Sequence, residues 1–207
     1  CRFPGGANTP AELWEMLKEG RDASTEIPKE RWPSDTYYSP NPETPGTTHA
    51  NRANFISAPI DEFDAPFFNI SAKEARALDP QQRLLMEVSW EAMEVAGLDI
   101  SGLSGSRTGV YIGISSDDYS QAHRHSGDFS QVDAYSLTGT CFAPAAGRLS
   151  YSFGFEGPSM AVDTACSSSL VALHLACQGL RSGDMDMALV GGVNLSLSPS
   201  FHICSTK

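Results

Sequence analysis

The sequence predicts an α/β fold with a largely buried sheet. Three short apolar runs, at 108–115, 158–162 and 187–197, have the composition of core strands. Segments with helical periodicity separate these runs, and strands that alternate with helices are typical of α/β proteins with a mostly parallel sheet. With 207 residues, the chain has the length of one domain or of one part of a larger domain.

The composition is that of a globular protein, with 41% hydrophobic and 19% charged residues. A net charge of −11 argues against nucleic acid or an anionic membrane surface as the main partner. No apolar run reaches the roughly 20 residues of a membrane-spanning helix, and nothing resembles a signal peptide. The five cysteines are odd in number and lack paired CxxC spacing, which favours reduced thiols in a cytoplasmic protein over a zinc site.

The first quarter of the chain contains one marked helix and then an irregular segment. The residues at 9–12 (TPAE) form a capping box with proline at the first helical position, and Gly20 predicts the end of this helix. Five prolines within 25–52 predict an extended surface loop. Three aromatic residues give this loop apolar groups to pack: Trp32, Tyr37 and Tyr38.

Two consecutive helices follow. Capping boxes at 71–74 and 79–82 predict their starts, and Gly97 predicts the end of the second. The DPQQR segment at 79–83 is therefore interpreted as a helix start and not as a site. Three acidic residues share one face of the second helix, a spacing typical of a solvated face rather than of an acid–base pair: Glu87, Glu91 and Glu94.

A polar loop is predicted over 116–134, after the first core strand. A metal site is not predicted there, because a glycine- and serine-rich loop gives the candidate ligands no framework: Asp117, Asp118, His123, His125 and Asp128. Beyond this loop, the residues at 138–140 (TGT) lead into a helix that extends through 143–151.

The segment from Asp163 to Gly183 contains a cysteine at a predicted helix start. A short strand at 158–162 is followed by a tight turn, Cys166 and a helix whose apolar residues cover most of its circumference, which predicts burial on nearly all sides. A cysteine is nucleophilic as its thiolate, and the free N–H groups of a first helical turn favour that form and can bind an oxyanion. Most unpaired cysteines are small buried hydrophobes, and the position alone leaves both interpretations open.

Four blocks of the sequence resemble one family. The segment DTACSSSLVALHLA with GDMDMALVGGVNLSLSP resembles the active-site region of the β-ketoacyl synthase (ketosynthase) domain of type I polyketide synthases. The residues at 1–6 (CRFPGG), 67–97 and 145–159 match the same family in the same order, so the resemblance covers essentially the whole chain. It implies that Cys166 is the nucleophile.

The resemblance implies a thiolase-like fold, layered as αβαβα, of which residues 1–207 form the N-terminal portion. It further implies that the first strand of the domain and the second half with two histidine motifs are absent. The implied reaction is acyl transfer from acyl carrier protein to Cys166, whose backbone N–H serves as an oxyanion donor, and then decarboxylative Claisen condensation with a malonyl-type extender. The implied substrate pocket comprises four residues: Thr140, Cys141, Phe142 and Ala165.

The resemblance also implies the setting of the enzyme. Substrates arrive on the phosphopantetheine arm of acyl carrier protein, and the segment itself binds no cofactor. The full domain is expected to be a homodimer beside further polyketide synthase domains in the cytoplasm. Three alternatives stay open at this point: another thiolase-fold acyltransferase, such as a thiolase or a chalcone-synthase-like enzyme; a cysteine hydrolase; and an inactive half-domain.

Two neighbours of Cys166 are not assigned catalytic roles. His174 lies two helical turns further along, about 12 Å at 1.5 Å per residue, which is too far for a Cys–His hydrogen bond. It is interpreted as a core histidine with a hydrogen-bond partner. Asp163 lies in the turn before the helix, where a carboxylate is suited to capping backbone N–H groups.

Overall fold

A computed structural model describes residues 1–125, 127, 130 and 132–207. The chain forms two compact units, residues 1–59 with 195–207 and residues 60–194. The elements in chain order are α1 (Pro10–Lys18), β1 (Thr25–Glu26), α2 (Ser34–Tyr37), β2 (Arg52–Ala53), α3 (Ala72–Ala77), α4 (Pro80–Val95), a 3-10 turn (Ser101–Leu103), β3 (Thr108–Gly113), α5 (Asp118–His125), α6 (Ala134–Thr140), α7 (Ala143–Phe153), β4 (Ser159–Val162), α8 (Ser168–Ser182), β5 (Met187–Gly192) and α9 (Ser200–Ser205).

The first unit begins with the predicted helix α1, where the Thr9 side chain accepts a hydrogen bond from the Glu12 N–H. The proline-rich segment is mostly irregular, and β1 and β2 close it as a short antiparallel pair. Trp32 is buried as predicted, at 4% exposure, whereas Tyr38 is 41% exposed. Tyr37 is half-buried, so of the three aromatic residues only Trp32 is fully buried.

The second unit is a parallel three-stranded sheet with helices on both faces. The strand order is β4-β3-β5, and β3 is buried along its whole length. Alternate side chains of β3 enter different cores: Val110 and Ile112 join the core that α4 and α7 cover, and Tyr111 joins the core under α8. The α/β prediction is confirmed, and all three predicted core strands are present.

The two outer strands are less buried than the sequence suggested. Ser159 and Met160 of β4 are exposed, and only Val162 at its end is buried. The first five residues of β5 are half-buried and Gly192 is exposed, and the strand ends there instead of continuing to residue 197. An edge strand pairs on one side only, so the expectation of a buried strand at 158–162 is wrong for this three-stranded sheet.

The helix starts predicted at residues 71 and 79 are both confirmed. Ser71 Oγ accepts from the Glu74 N–H, and Asp79 Oδ1 accepts from the Gln81 N–H. In contrast, the segment predicted as a polar loop contains α5 over Asp118–His125 and the start of α6. The hydrogen bonds that stabilise α6 come from the Asp133 capping box, a local signal that the loop prediction overlooked.

The burial predicted for the Cys166 helix is wrong. In α8, four residues are buried against the sheet, and the leucines on the other side are exposed, Leu170 at 71% and Leu173 at 48%. His174 also lies on the exposed side, so it is not a core histidine. An apolar circumference does not specify how many faces are covered, and among the described residues the sheet covers only one.

Candidate active site

Cys166 lies in a tight turn between β4 and α8, and its thiol is exposed. The residue before it, Ala165, has a φ of +55°, in the left-handed region that non-glycine residues seldom adopt. This sharp bend takes the chain from the strand into the helix within five residues. Cys166 is thereby presented beyond the carboxyl end of β4, as the sequence predicts.

Short hydrogen bonds hold the bent turn. Asp163 Oδ1 accepts from the Ala165 N–H at 3.0 Å, which confirms the predicted capping role of Asp163. The Ser168 hydroxyl accepts from the Thr164 N–H at 2.9 Å and donates to the Ala165 carbonyl at 2.7 Å. Because Ser168 is only 6% exposed, this hydroxyl ties both sides of the turn to the buried start of α8.

Two glycines allow the start of α8 to approach the sheet closely. A Cβ at Gly113, the last residue of β3, would lie 2.6 Å from the Ser169 N. A Cβ at Gly192, the last residue of β5, would lie 2.7 Å from the Ser169 Cβ. Gly192 is therefore a position where β5 and the start of α8 approach each other closely.

The turn has the chemical features of an acyl-transfer nucleophile. The Cys166 N–H has no hydrogen-bond acceptor among the described residues, so it is available to a developing oxyanion. The first turn of α8 adds the partial positive charge of a helix N-terminus, which favours an oxyanion. An exposed thiol next to such groups can attack an acyl carbonyl and hold the product as a thioester.

Of the four predicted pocket residues, only Ala165 adjoins Cys166 directly. The other three, Thr140, Cys141 and Phe142, form the junction between α6 and α7. The Cys141 side chain is exposed, and Phe142 is partly buried against the core that α4 and α7 cover.

A buried polar network that sequence reasoning missed holds the α6–α7 junction. Gln82, only 2% exposed, donates its side-chain amide to the carbonyls of Gly139 and Cys141, each at 3.1 Å. The Asp79 N–H donates to the Gly139 carbonyl at 2.8 Å. The Gln81 amide donates to the Ser116 carbonyl at 2.8 Å, just beyond β3. The sequence signal for this network is a pair of adjacent glutamines in the first turn of α4. They are also typical of a helix start, so the pattern alone does not indicate a network.

Asp79 is the most strongly buried carboxylate of this network, at 2% exposure. Burial raises its pKa above the usual 3.8, and the nearby Asp118 adds to this, whereas hydrogen bonds from Gln81 and the charge of Arg83 oppose it. This electrostatic cost is consistent with a structural role, because the carboxylate caps α4 and accepts the Gln81 amide.

The described part of the chain contains no group of three or more metal-ligating side chains that could hold an ion. Of the candidate ligands considered above, Asp128 lies outside the described residues, and so do the side chains of His123 and His125. Within the described ranges, no helix is long and apolar enough to cross a membrane. An open depression of about 610 Å³ runs along the C-terminal half of α8, between Met160 and Asp184, and Cys166 does not line it.

The comparison with known proteins identifies the family. The model for "Beta-ketoacyl synthase, N-terminal domain" matches residues 1–207. The chain is 51% identical to the polyketide synthase component of compactin nonaketide synthase from Penicillium citrinum, and covers 7% of that protein. It is 48% identical to the lovastatin nonaketide synthase from Monascus pilosus, and covers 7% of it. Each of these matches extends over the entire chain.

Solved structures show the same fold. An oxazolomycin ketosynthase domain from Streptomyces albus superposes with a TM-score of 0.89 at 38% identity, over 99% of this chain and 35% of that one. The ketosynthase from module 6 of the Bacillus subtilis bacillaene synthase has a TM-score of 0.83 at 37% identity, over 99% and 33%. The thiolase-like fold prediction is thus confirmed. The chain belongs to the β-ketoacyl synthase family, and its 207 residues correspond to the N-terminal domain of that family.

Proposed function

We propose that residues 1–207 are the N-terminal portion of a ketosynthase domain of a polyketide synthase, and that Cys166 is its acyl-accepting nucleophile. The observation that carries this proposal is the presentation of the Cys166 thiol, which is exposed on a strained turn at the start of α8. The polyketide synthases among its relatives support the reaction class. A cysteine hydrolase is not favoured, because it needs a histidine beside the thiol and His174 lies about 12 Å along the helix axis.

In the first step, the Cys166 thiolate attacks the carbonyl carbon of an acyl thioester carried on the phosphopantetheine arm of acyl carrier protein. The carbonyl π electrons move to oxygen, and the resulting oxyanion accepts a hydrogen bond from the Cys166 N–H. When the oxyanion collapses, the carrier thiolate leaves and takes up a proton. The acyl group is then a thioester of Cys166, and the carrier protein departs.

In the second step, a malonyl-type extender on acyl carrier protein loses carbon dioxide, and the electrons of the broken C–C bond form an enolate. The enolate carbon attacks the Cys166 thioester, and the cysteine leaves as a thiolate. The product is a β-keto thioester on the carrier. The same N–H stabilises the oxyanion of this second addition, so one donor serves both steps.

We propose that the 207 residues alone do not complete this reaction. The leucines beside Cys166 on α8 form an exposed apolar face, with Leu170 at 71% exposure and Leu173 at 48%. Exposed faces of this kind usually mark an interface that another part of a protein covers. The two histidines that assist decarboxylation in the family are expected in the second half of the domain. Homodimerisation and contact with neighbouring synthase domains in the cytoplasm belong to the same proposal.

Intact-mass spectrometry tests the nucleophile. The natural polypeptide that carries these residues is incubated with hexanoyl N-acetylcysteamine thioester, a mimic of the acylated pantetheine arm. We expect one hexanoyl adduct, absent from Cys166→Ala and retained in Cys204→Ala, which removes an exposed cysteine outside the proposed pocket. An unmodified wild-type protein, or equal modification of several cysteines, would contradict the proposal.

The same assay on the 207-residue chain tests whether it acts alone. We expect no turnover to a β-keto product from hexanoyl and malonyl thioesters under conditions in which the natural polypeptide forms it. Product formation by the 207-residue chain would overturn the proposal that it is incomplete, and would leave the role of Cys166 intact.

A further inference from the structure

The side-chain amide of Gln82 is placed between two carbonyl groups at a break between helices. It donates one hydrogen to the Gly139 carbonyl and one to the Cys141 carbonyl, each at 3.1 Å. Its Oε1 accepts from Arg148 Nε at 3.4 Å, and Arg148 is paired with Glu74 at 2.5 Å. Both donors and the acceptor of the Gln82 amide are therefore used inside a site that is almost closed to water.

The other hydrogen bonds of the junction are local to the two helices: the Cys141 N–H donates to the Leu137 carbonyl, and the Ala145 N–H donates to the Phe142 carbonyl. A Cβ at Gly139 would lie 2.2 Å from the Ala77 carbonyl oxygen, so the backbone of α6 approaches the α3–α4 turn as closely as it can. The Gly139 carbonyl also accepts from the Asp79 N–H, whereas among the described residues the Cys141 carbonyl is bonded to Gln82 alone. We call this arrangement the Gln82 clamp.

The clamp belongs to the same edge of the sheet as Cys166. The final residues of the three parallel strands, Gly113, Val162 and Gly192, are register partners, so their carboxyl ends form one edge. Cys166 follows Val162 by four residues. Gln81, next to Gln82, is bonded to Ser116, which follows Gly113 by three residues. Ligands of open parallel sheets bind beyond this carboxyl edge.

We propose that Gln82 is a positioning residue, which fixes the segment 140–142 as a wall of the acyl site and so determines which acyl chain Cys166 accepts. This inference rests on the proposed ketosynthase function. Gln82 does not touch the reacting atoms in this scheme. Its amide fixes the backbone at Cys141, and the backbone sets where the Thr140, Cys141 and Phe142 side chains stand. The clamp therefore affects acyl-chain selectivity more than thioester chemistry.

The experiment compares Gln82→Met with Gln81→Met in the natural polypeptide. Both glutamines are almost fully buried in the first turn of α4, and in both variants the two hydrogen bonds donated by the amide nitrogen are lost. Gln82→Met also loses the bond accepted from Arg148, and of the two glutamines Gln82 is the one bonded to the α6–α7 junction. The measured quantity is the ratio of Cys166 acylation rates for hexanoyl and acetyl N-acetylcysteamine thioesters. Thermal unfolding of each variant is recorded beside it.

We expect Gln82→Met to change the hexanoyl-to-acetyl ratio by about tenfold, because displacements near 1 Å at a site have effects of that order or larger. Gln81→Met is expected to lower the unfolding temperature about as much as Gln82→Met does, but to leave the hexanoyl-to-acetyl ratio unchanged. A ratio equal to that of the wild type in folded Gln82→Met, or an equal change in Gln81→Met, would overturn the inference. A wild-type protein that is not acylated at Cys166 would instead overturn the proposed function.

A second variant covers the case in which Gln82→Met does not fold. Gln82→Glu keeps the size of the side chain and the acceptor for Arg148, but places a carboxylate oxygen against the two carbonyls. We expect Gln82→Glu to change the hexanoyl-to-acetyl ratio as Gln82→Met does. We also expect a thiol reagent to label the exposed Cys141 faster in Gln82→Glu than in the wild type. If both Gln82 variants unfold while Gln81→Met folds, Gln82 is a stability residue and the inference is wrong.

Discussion

The contact between Gly113 and the start of α8 gives the sharpest test of how Cys166 is positioned. A Cβ at residue 113 would lie 2.6 Å from the Ser169 N and 2.8 Å from the Ser168 carbonyl carbon, both of them backbone atoms. Ordinary contact begins at 3.4 Å, so in Gly113→Ala the backbone at the start of α8 has to move by about 0.8 Å. Cys166 lies two residues before that helix and moves with it.

Two quantities follow from this displacement. Overpacking of a close contact costs about 1–3 kcal/mol of the free energy of unfolding, which a folded domain of this kind tolerates. A misplacement of about 1 Å at a reacting group can reduce the rate about 10²-fold. We therefore expect Gly113→Ala to remain folded and to acylate Cys166 about two orders of magnitude more slowly than the wild type.

The assay is single-turnover acylation of Cys166, followed by intact mass, together with urea unfolding of the same samples. Gly147→Ala is the matched control, because a Cβ at this exposed position of α7 meets nothing within 4 Å. That control should acylate normally and be slightly more stable, since alanine is favoured over glycine in a helix by about 1 kcal/mol. If folded Gly113→Ala acylates Cys166 at the wild-type rate, strand β3 does not position Cys166.

Two further predictions concern strain and titration. Ala165→Gly should raise the free energy of unfolding, measured in urea, by up to about 1 kcal/mol. Glycine adopts the left-handed backbone without strain, and this gain outweighs the larger conformational entropy of glycine in the unfolded chain. A large decrease in the free energy of unfolding would show instead that the Ala165 methyl group makes packing contacts. Asp79 has a raised pKa in the folded protein, so the folded state binds its proton more readily and stability falls as the pH rises from the usual 3.8 through the raised value. Asp79→Asn should remove this part of the pH profile of unfolding, and an unchanged profile would exclude Asp79 as its source.

Much of the local structure could be predicted because its signals are local. The β3 run, the capped starts of α1, α3 and α4, and the glycine that ends α8 are each specified by neighbouring residues. The turn before Cys166 belongs to the same class, since Asp163 and Ser168 hold it from within five residues. The interacting residues are close together in the sequence, so the local sequence pattern is enough to predict these features.

Other features depend on which surfaces pack against each other, and a single sequence does not specify those contacts. The apolar residues of α8 predict burial on most sides, but the number of covered faces depends on the partners, so the exposed Leu170 and the exposed His174 were predicted wrongly. The Gln82 clamp joins residues 57 and 59 positions apart. Neither carbonyl has a side-chain signature, so such a bond leaves no periodic or capping pattern that could reveal it.

Local and long-range interactions have different roles at this site. The position of Cys166, the proposed nucleophile, relies on a strained Ala165 and on hydrogen bonds within a few residues. Gly113 and Gly192 also let the start of α8 lie close against the sheet. The proposed wall of the acyl site relies on long-range bonds to the α6–α7 junction, which a single buried amide supplies. Substitutions in the second set can therefore alter which acyl chain is accepted while the thiol stays in place. On the proposed assignment, thioester chemistry at Cys166 and acyl-chain selectivity therefore depend on separate sets of contacts and can change independently.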